Sequence, residues 1–164
     1  MEHHLRVVAD KTGSLIATSA RLGALTAAAP PADVETVARF GEVIGSAFQL
    51  SDDLIDIASD AETSGKTPGT DLREGIHTLP VLLVLAGDDP AGHRLRELLR
   101  GDLTDDALLA EALGLLRAHP AMHAARERLA GYAEQARHTA GELPAGHARD
   151  ALVSLADYVL ARTG

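Results

Sequence analysis

The residues best suited to chemistry are three carboxylates in Phe48-Gln49-Leu50-Ser51-Asp52-Asp53-Leu54-Ile55-Asp56-Ile57 and the cations on either side, Lys11 and Lys66. At about 100° per residue, a helix brings Asp52, Asp53 and Asp56 into an arc of roughly 100°, with Gln49 and Asp60 in the same arc. The other side carries Leu50, Leu54 and Ile57, the stripe of a helix that faces a core. Three carboxylates in one arc repel each other, and a helix interior disfavours Asp, so a cation should compensate. Hard oxygen donors able to share that cation with a phosphorylated substrate suit Mg²⁺ rather than a soft metal. A merely solvated acidic helix face is the competing reading. The apolar flanks argue against it, as does the loop Gly65-Lys66-Thr67-Pro68-Gly69-Thr70-Asp71, which supplies a cation just downstream.

These groups need a scaffold, and the composition says of what kind. The 164 residues are enough for one domain with a real core, expected over residues 1–164. Apolar residues make up 46% of the chain and aromatic ones only 2%, so the core is built of Leu, Val, Ile and Ala. That favours packed helices over a sheet and predicts an all-α fold. A net charge of −9 argues against nucleic acid as a partner. There is no cysteine, which excludes disulfides and thiol catalysis. The Met1-Glu2-His3-His4 start has no export pattern, and no apolar run approaches the roughly 20 residues of a membrane span. A cytoplasmic location is the default expectation.

Taken in order, Leu5, Val8, Leu15 and Leu22 recur at helical spacing and predict a helix from about His4 to Ala29, ended by Pro30-Pro31. Lys11-Thr12-Gly13 lies within it; by itself it reads as a snorkelling lysine. A second helix is expected from an N-cap at Asp33 to about Ser59. Gly41 and Gly45 share the arc of Asp52 and Asp56. They leave either a shallow groove leading away from the carboxylates or a place for close helix packing, and the two can hold together. Residues 61–74 read as a loop. Thr78 to Ala86 reads as an apolar helix with Pro80 in its first turn. Helices then follow over 91–100, 105–118 with Thr104 as N-cap, 121–141 and 146–161. Asp88-Asp89 reads as a turn. His119 and His123 are expected to face solvent rather than share a metal. Tyr132, Leu143, Leu152, Leu155 and Tyr158 read as scaffold.

The elements Phe48-Gln49-x-x-Asp52-Asp53-x-x-Asp56, Gly65-Lys66, Gly69-x-Asp71-Leu72 and Gly75-x-x-Thr78-Leu79-Pro80 resemble the second aspartate-rich region of the trans-isoprenyl diphosphate synthases, or polyprenyl synthetases. The resemblance implies the C-terminal part of an isoprenoid-synthase helical bundle, with the half carrying the first aspartate-rich motif absent. It implies a Mg²⁺-dependent prenyltransferase that condenses isopentenyl diphosphate with an allylic diphosphate. In that scheme Asp52, Asp53 and Asp56 bind metal, and Lys11, Thr12 and Lys66 hold the diphosphate. Gln49 lies near the developing cation. Ile76 stands where many members of the family have a second lysine, which removes one cation from the diphosphate clamp. With half the ligands missing, the chain alone is expected to be inactive or nearly so. It would work as a homodimer, or as a hetero-oligomer with a chain supplying the first motif. Two alternatives are a non-catalytic partner subunit of a longer synthase and a terpene-cyclase-like metal and diphosphate binder. The scarcity of aromatic residues argues against the cyclase.

Overall fold

The computed structural model describes residues 1–58 and 68–163, and among these the regular elements are all helical, as expected. They are α1 (Glu2–Val8), a π-helical turn (Ala9–Gly13), α2 (Ser14–Thr26), α3 (Pro31–Ala58), α4 (Thr70–Arg73), α5 (Leu79–Ala86), a 3-10 turn (Pro90–Gly92), α6 (His93–Arg100), α7 (Asp106–Ala118), α8 (Pro120–Gly141) and α9 (His147–Ala161). The chain forms two compact units. One holds residues 2–51 and 128–163; the other holds the described residues between 52 and 127.

In the first unit, α3 starts at Pro31, where a missing N–H costs nothing, so Asp33 lies in the first turn rather than at the cap. The first predicted helix is also modified: the π turn Ala9–Gly13 interrupts it. α2 meets α3 backbone to backbone. A Cβ on Gly41 would sit 2.7 Å from the Ala17 Cα, and one on Gly45 would sit 2.8 Å from the Gly13 Cα. Helix packing therefore fills the space beside these glycines, and the groove reading is overturned. Arg39 of α3 bonds Glu142, just past the end of α8, at 2.6 Å, and Arg137 of α8 bonds Asp157 of α9 at 2.6 Å. Apart from Phe40 the core is aliphatic and small, with Ile44, Ala47, Leu129, Ala133, Ala136, Ala140 and Val159 all buried. Leu155 and Tyr158 are not scaffold, being 40% and 59% exposed.

In the second unit, residues 70–73 form a helical turn rather than loop. Gly75 (φ 71°) ends it: its N–H donates to Leu72 O at 3.1 Å and that of Ile76 to Asp71 O at 2.8 Å, the crossed bonds of a left-handed terminator. α7 is capped by Asp105 rather than Thr104, its carboxylate accepting from the N–H groups of Ala107 and Leu108. Thr104 is used differently, its carbonyl accepting from Arg73 at 2.8 Å. Asp89 closes the turn expected at 88–89, accepting from Gly92 N at 2.6 Å and from buried Arg96 at 3.0 Å. His119 is not solvent-facing: its Nδ1 accepts from Ala121 N at 3.1 Å and its Nε2 lies 3.7 Å from Asp89, while His123 is exposed as expected. Leu72, Leu79, Val81, Val84, Leu95, Leu99, Leu109 and Leu116 make the core. Among the described residues no helix is long and apolar enough to cross a membrane.

Candidate functional site

The carboxylates sit on the last two turns of α3. Leu54 and Ile57 are buried there, as their spacing requires, but so is Asp53, at 4% exposure. The acidic arc and the apolar stripe therefore adjoin rather than oppose each other, and Asp53 lies on their shared border. Asp52 and Asp56 are half-exposed and one turn apart.

Asp56 has a structural task as well. Its Oδ1 accepts from Thr70 N and its Oδ2 from Asp71 N, both at 3.2 Å, and its backbone carbonyl accepts from Gly69 N at 2.9 Å. A helix start leaves such N–H groups without intrahelical partners, and an anionic side chain is the natural acceptor. Gly69 is needed to reach it. The residue has φ 76°, and a Cβ there would meet Leu113 at 3.0 Å and Leu109 at 3.1 Å. At the same C-terminal end of α3, Arg117 Nε donates to Ile57 O at 2.7 Å and satisfies one of the helix's terminal carbonyls. Nothing in the sequence distinguishes Arg117 from other arginines on amphipathic helices.

Among the described residues, no group of three or more His, Cys, Asp or Glu is arranged to hold a metal ion. The donor chemistry of Asp52 and Asp56 fits a hard divalent cation bound through one or two carboxylates and completed by other oxygen ligands. It does not describe a cation enclosed by three protein carboxylates. Lys66 lies outside the described residues, as do Asp60 and Gly65.

Lys11 and Thr12 occupy the π turn of the first unit. Such turns widen the helix by one residue and recur at functional sites. Lys11 is exposed, whereas Thr12 Oγ1 donates to Gln49 Oε1 at 2.9 Å. Two of the predicted site residues are thus brought together. A regular helical reading of residues 4–29 missed the turn, although Gly13, a poor helix former, was its visible signal. Gly13 is buried, and a Cβ there would lie 3.0 Å from Glu42 O. Another contact was not legible: the Arg162 guanidinium lies over the Phe48 ring, 4.5 Å from its centroid.

Among the described residues the regular elements are all helical, as in the isoprenoid-synthase folds on which the chain superposes. The polyprenyl synthetase family model matches residues 1–116. The chain belongs to that family. It is 51% identical, over its whole length, to the nonaprenyl diphosphate synthase of Mycobacterium tuberculosis (strain ATCC 25618 / H37Rv), covering 49% of that protein. It is 35% identical over 95% of its length to heptaprenyl diphosphate synthase component 2 of Geobacillus stearothermophilus, covering 48%. Its fold superposes with TM-score 0.91 on geranylgeranyl pyrophosphate synthase from Corynebacterium glutamicum complexed with calcium and isoprenyl diphosphate, at 42% identity over 99% of this chain and 51% of that one. The chain spans about half the length of the curated relatives it matches.

Proposed function

We propose that this chain is the half of a prenyltransferase that holds the allylic diphosphate, in an enzyme condensing that substrate with isopentenyl diphosphate. The supporting observation is the family match across residues 1–116, a stretch that contains both the Lys11-Thr12 turn and the carboxylates of α3. Asp52 and Asp56, with Asp53 beside them, are assigned to a divalent cation, Mg²⁺ by the hardness of the donors. When bound, that cation stabilises negative charge on the departing diphosphate. Lys11, Thr12 and Lys66 are assigned to hold the diphosphate, and Gln49, which accepts from the Thr12 hydroxyl, to lie near the developing cation.

Residues 1–164 are taken as one domain working in the cytoplasm, in a homodimer or with a chain supplying the first aspartate-rich motif. The word "component" in the name of one relative favours the hetero-oligomer. A barrier lowered by closely placed cations rises when half of their ligands are missing, so the chain alone is expected to bind diphosphate without appreciable turnover.

Calorimetric titration with inorganic diphosphate, with and without Mg²⁺, on the wild type and Asp52→Ala, tests the assignment. Mg²⁺-dependent binding that disappears in the variant is expected. Binding of equal strength in both proteins would refute the role of Asp52, and no binding at all would refute a preformed half-site.

A further inference from the structure

We infer that Arg117 is a positioning residue for the carboxylates of α3: through its bond to the Ile57 carbonyl it holds Asp53 and Asp56 in the arrangement that receives the cation. The role depends on the cation assignment made under the proposed function.

The carboxylates occupy an end of α3 that is prone to fray. The last carbonyls of a helix have no donor within it, and the negative end of the helix dipole disfavours carboxylates there. Asp52, Asp53 and Asp56 all fall in the last two turns of α3, which ends at Ala58. The final turn therefore needs donors from outside. Gly69 N donates to Asp56 O at 2.9 Å, and Arg117 Nε donates to Ile57 O at 2.7 Å. Ile57 passes the second bond on to both aspartates. In the helical pattern its N–H bonds the Asp53 carbonyl, and a rigid peptide plane joins it to Asp56.

Both supports come from one face of α7, within the second unit. Leu109, Leu113 and Arg117 recur every four residues and lie within about 80° of one another around that helix. Leu109 and Leu113 crowd Gly69, where a Cβ would come within 3.1 and 3.0 Å of their methyl groups, while Arg117 reaches Ile57. The same face thus backs the Gly69 side and the Ile57 side of the acidic turn and sets the gap between them. α7 is itself anchored by buried Leu116 and by the fork of Arg94 onto Glu111, at 2.8 and 2.9 Å.

Two replacements of matched reach separate the hydrogen bond from the charge. In Arg117→Gln the amide nitrogen lies as many bonds from Cα as the Nε it replaces and still donates, without charge; Arg117→Met has the same reach and donates nothing. Arg94→Met, which breaks the fork onto α7 but leaves the bond to Ile57 in place, is the control. Arg117 and Arg94 are exposed, so none of these changes opens the core, and cooperative thermal unfolding is expected of all three variants. Two quantities are read: amide exchange along α3 and α6 without metal, and calorimetric affinity for inorganic diphosphate in Mg²⁺. Arg117→Met is expected to speed exchange at Asp56, Ile57 and Ala58 but not in α6, and to weaken binding about 10–100-fold. Arg117→Gln and Arg94→Met are expected to stay close to the wild type in binding and in exchange at the end of α3. Unchanged exchange there in Arg117→Met would overturn the inference. So would an equal loss of binding in Arg117→Gln, which would assign the effect to charge, or in Arg94→Met, which would assign it to the seating of α7 as a whole. A merely structural role predicts faster exchange with unaltered binding, and that result would overturn the inference while leaving the functional reading intact. Absence of Mg²⁺-dependent binding in the wild type would instead sink the functional reading, and the role of Arg117 with it.

Discussion

The Thr12 hydroxyl donates to the Gln49 side-chain oxygen at 2.9 Å and so joins a π-helical turn to α3 across 37 positions of sequence. A part-buried neutral hydrogen bond of this kind contributes about 1 kcal/mol. Thr12→Val and Gln49→Leu are each expected to lower the urea midpoint, with a coupling near that size in the double-mutant cycle. Additive losses would mean that the two side chains act independently.

The glycines of the first unit should respond with opposite signs. Gly41→Ala and Gly45→Ala push a methyl group into the backbone of Ala17 or Gly13 and should each cost about 1–3 kcal/mol. Gly23→Ala, where nothing lies within 4 Å of the new Cβ, should stabilise α2 by about 0.4–1 kcal/mol. Thermal denaturation of the three variants checks this, and a gain at Gly45 would contradict the close approach.

The Asp56–Gly69 latch can be weakened from either side. Asp56→Ala removes the acceptor for two N–H groups and should cost about 1 kcal/mol, the usual loss for a helix cap. Gly69→Ala combines a left-handed backbone with contact against Leu113 and should cost about 1–3 kcal/mol. Faster amide exchange at Thr70 and Asp71 in both variants is the local readout. Unchanged exchange in Asp56→Ala would remove the latch from consideration.

Acid should release the turn at Asp89. Its hydrogen bond from Arg96, followed by that from Gly92 N, holds this carboxyl below the ordinary aspartate range. A depressed folded value makes the stabilisation present above the unfolded value of about 3.9 and lost as pH falls through the folded one. Stability measured from pH 6 downward should therefore decline less below about pH 4 in Asp89→Asn than in the wild type. Identical declines would show that the carboxylate is not coupled to folding.

The helical class and the course of α3 could be read from composition and spacing, because a 3.6-residue period and a scarcity of aromatic residues leave few alternatives. What escaped the reading depended on neighbours distant in sequence. The burial of Asp53 follows from which side of α3 faces the core, and the 100° arc has an edge that either environment can claim. The exposed Leu15 and Leu22 obey helical spacing, which shows that a face is apolar but not what covers it. His119 bonds Ala121 N beside Asp89, and Asp105, immediately before the helix, caps α7 while the Thr104 side chain is held by Asp102.

The meeting of α2 with α3 through Gly13, Ala17, Gly41 and Gly45 has a mechanical implication. Where backbones touch, there are no rotamers to rearrange, so neither thermal motion nor a mutation elsewhere can adjust the spacing by repacking side chains. The Lys11-Thr12 turn thus hangs from a joint whose dimension is set by atomic radii. Any tuning of Gln49 through Thr12 has to come from the π turn itself.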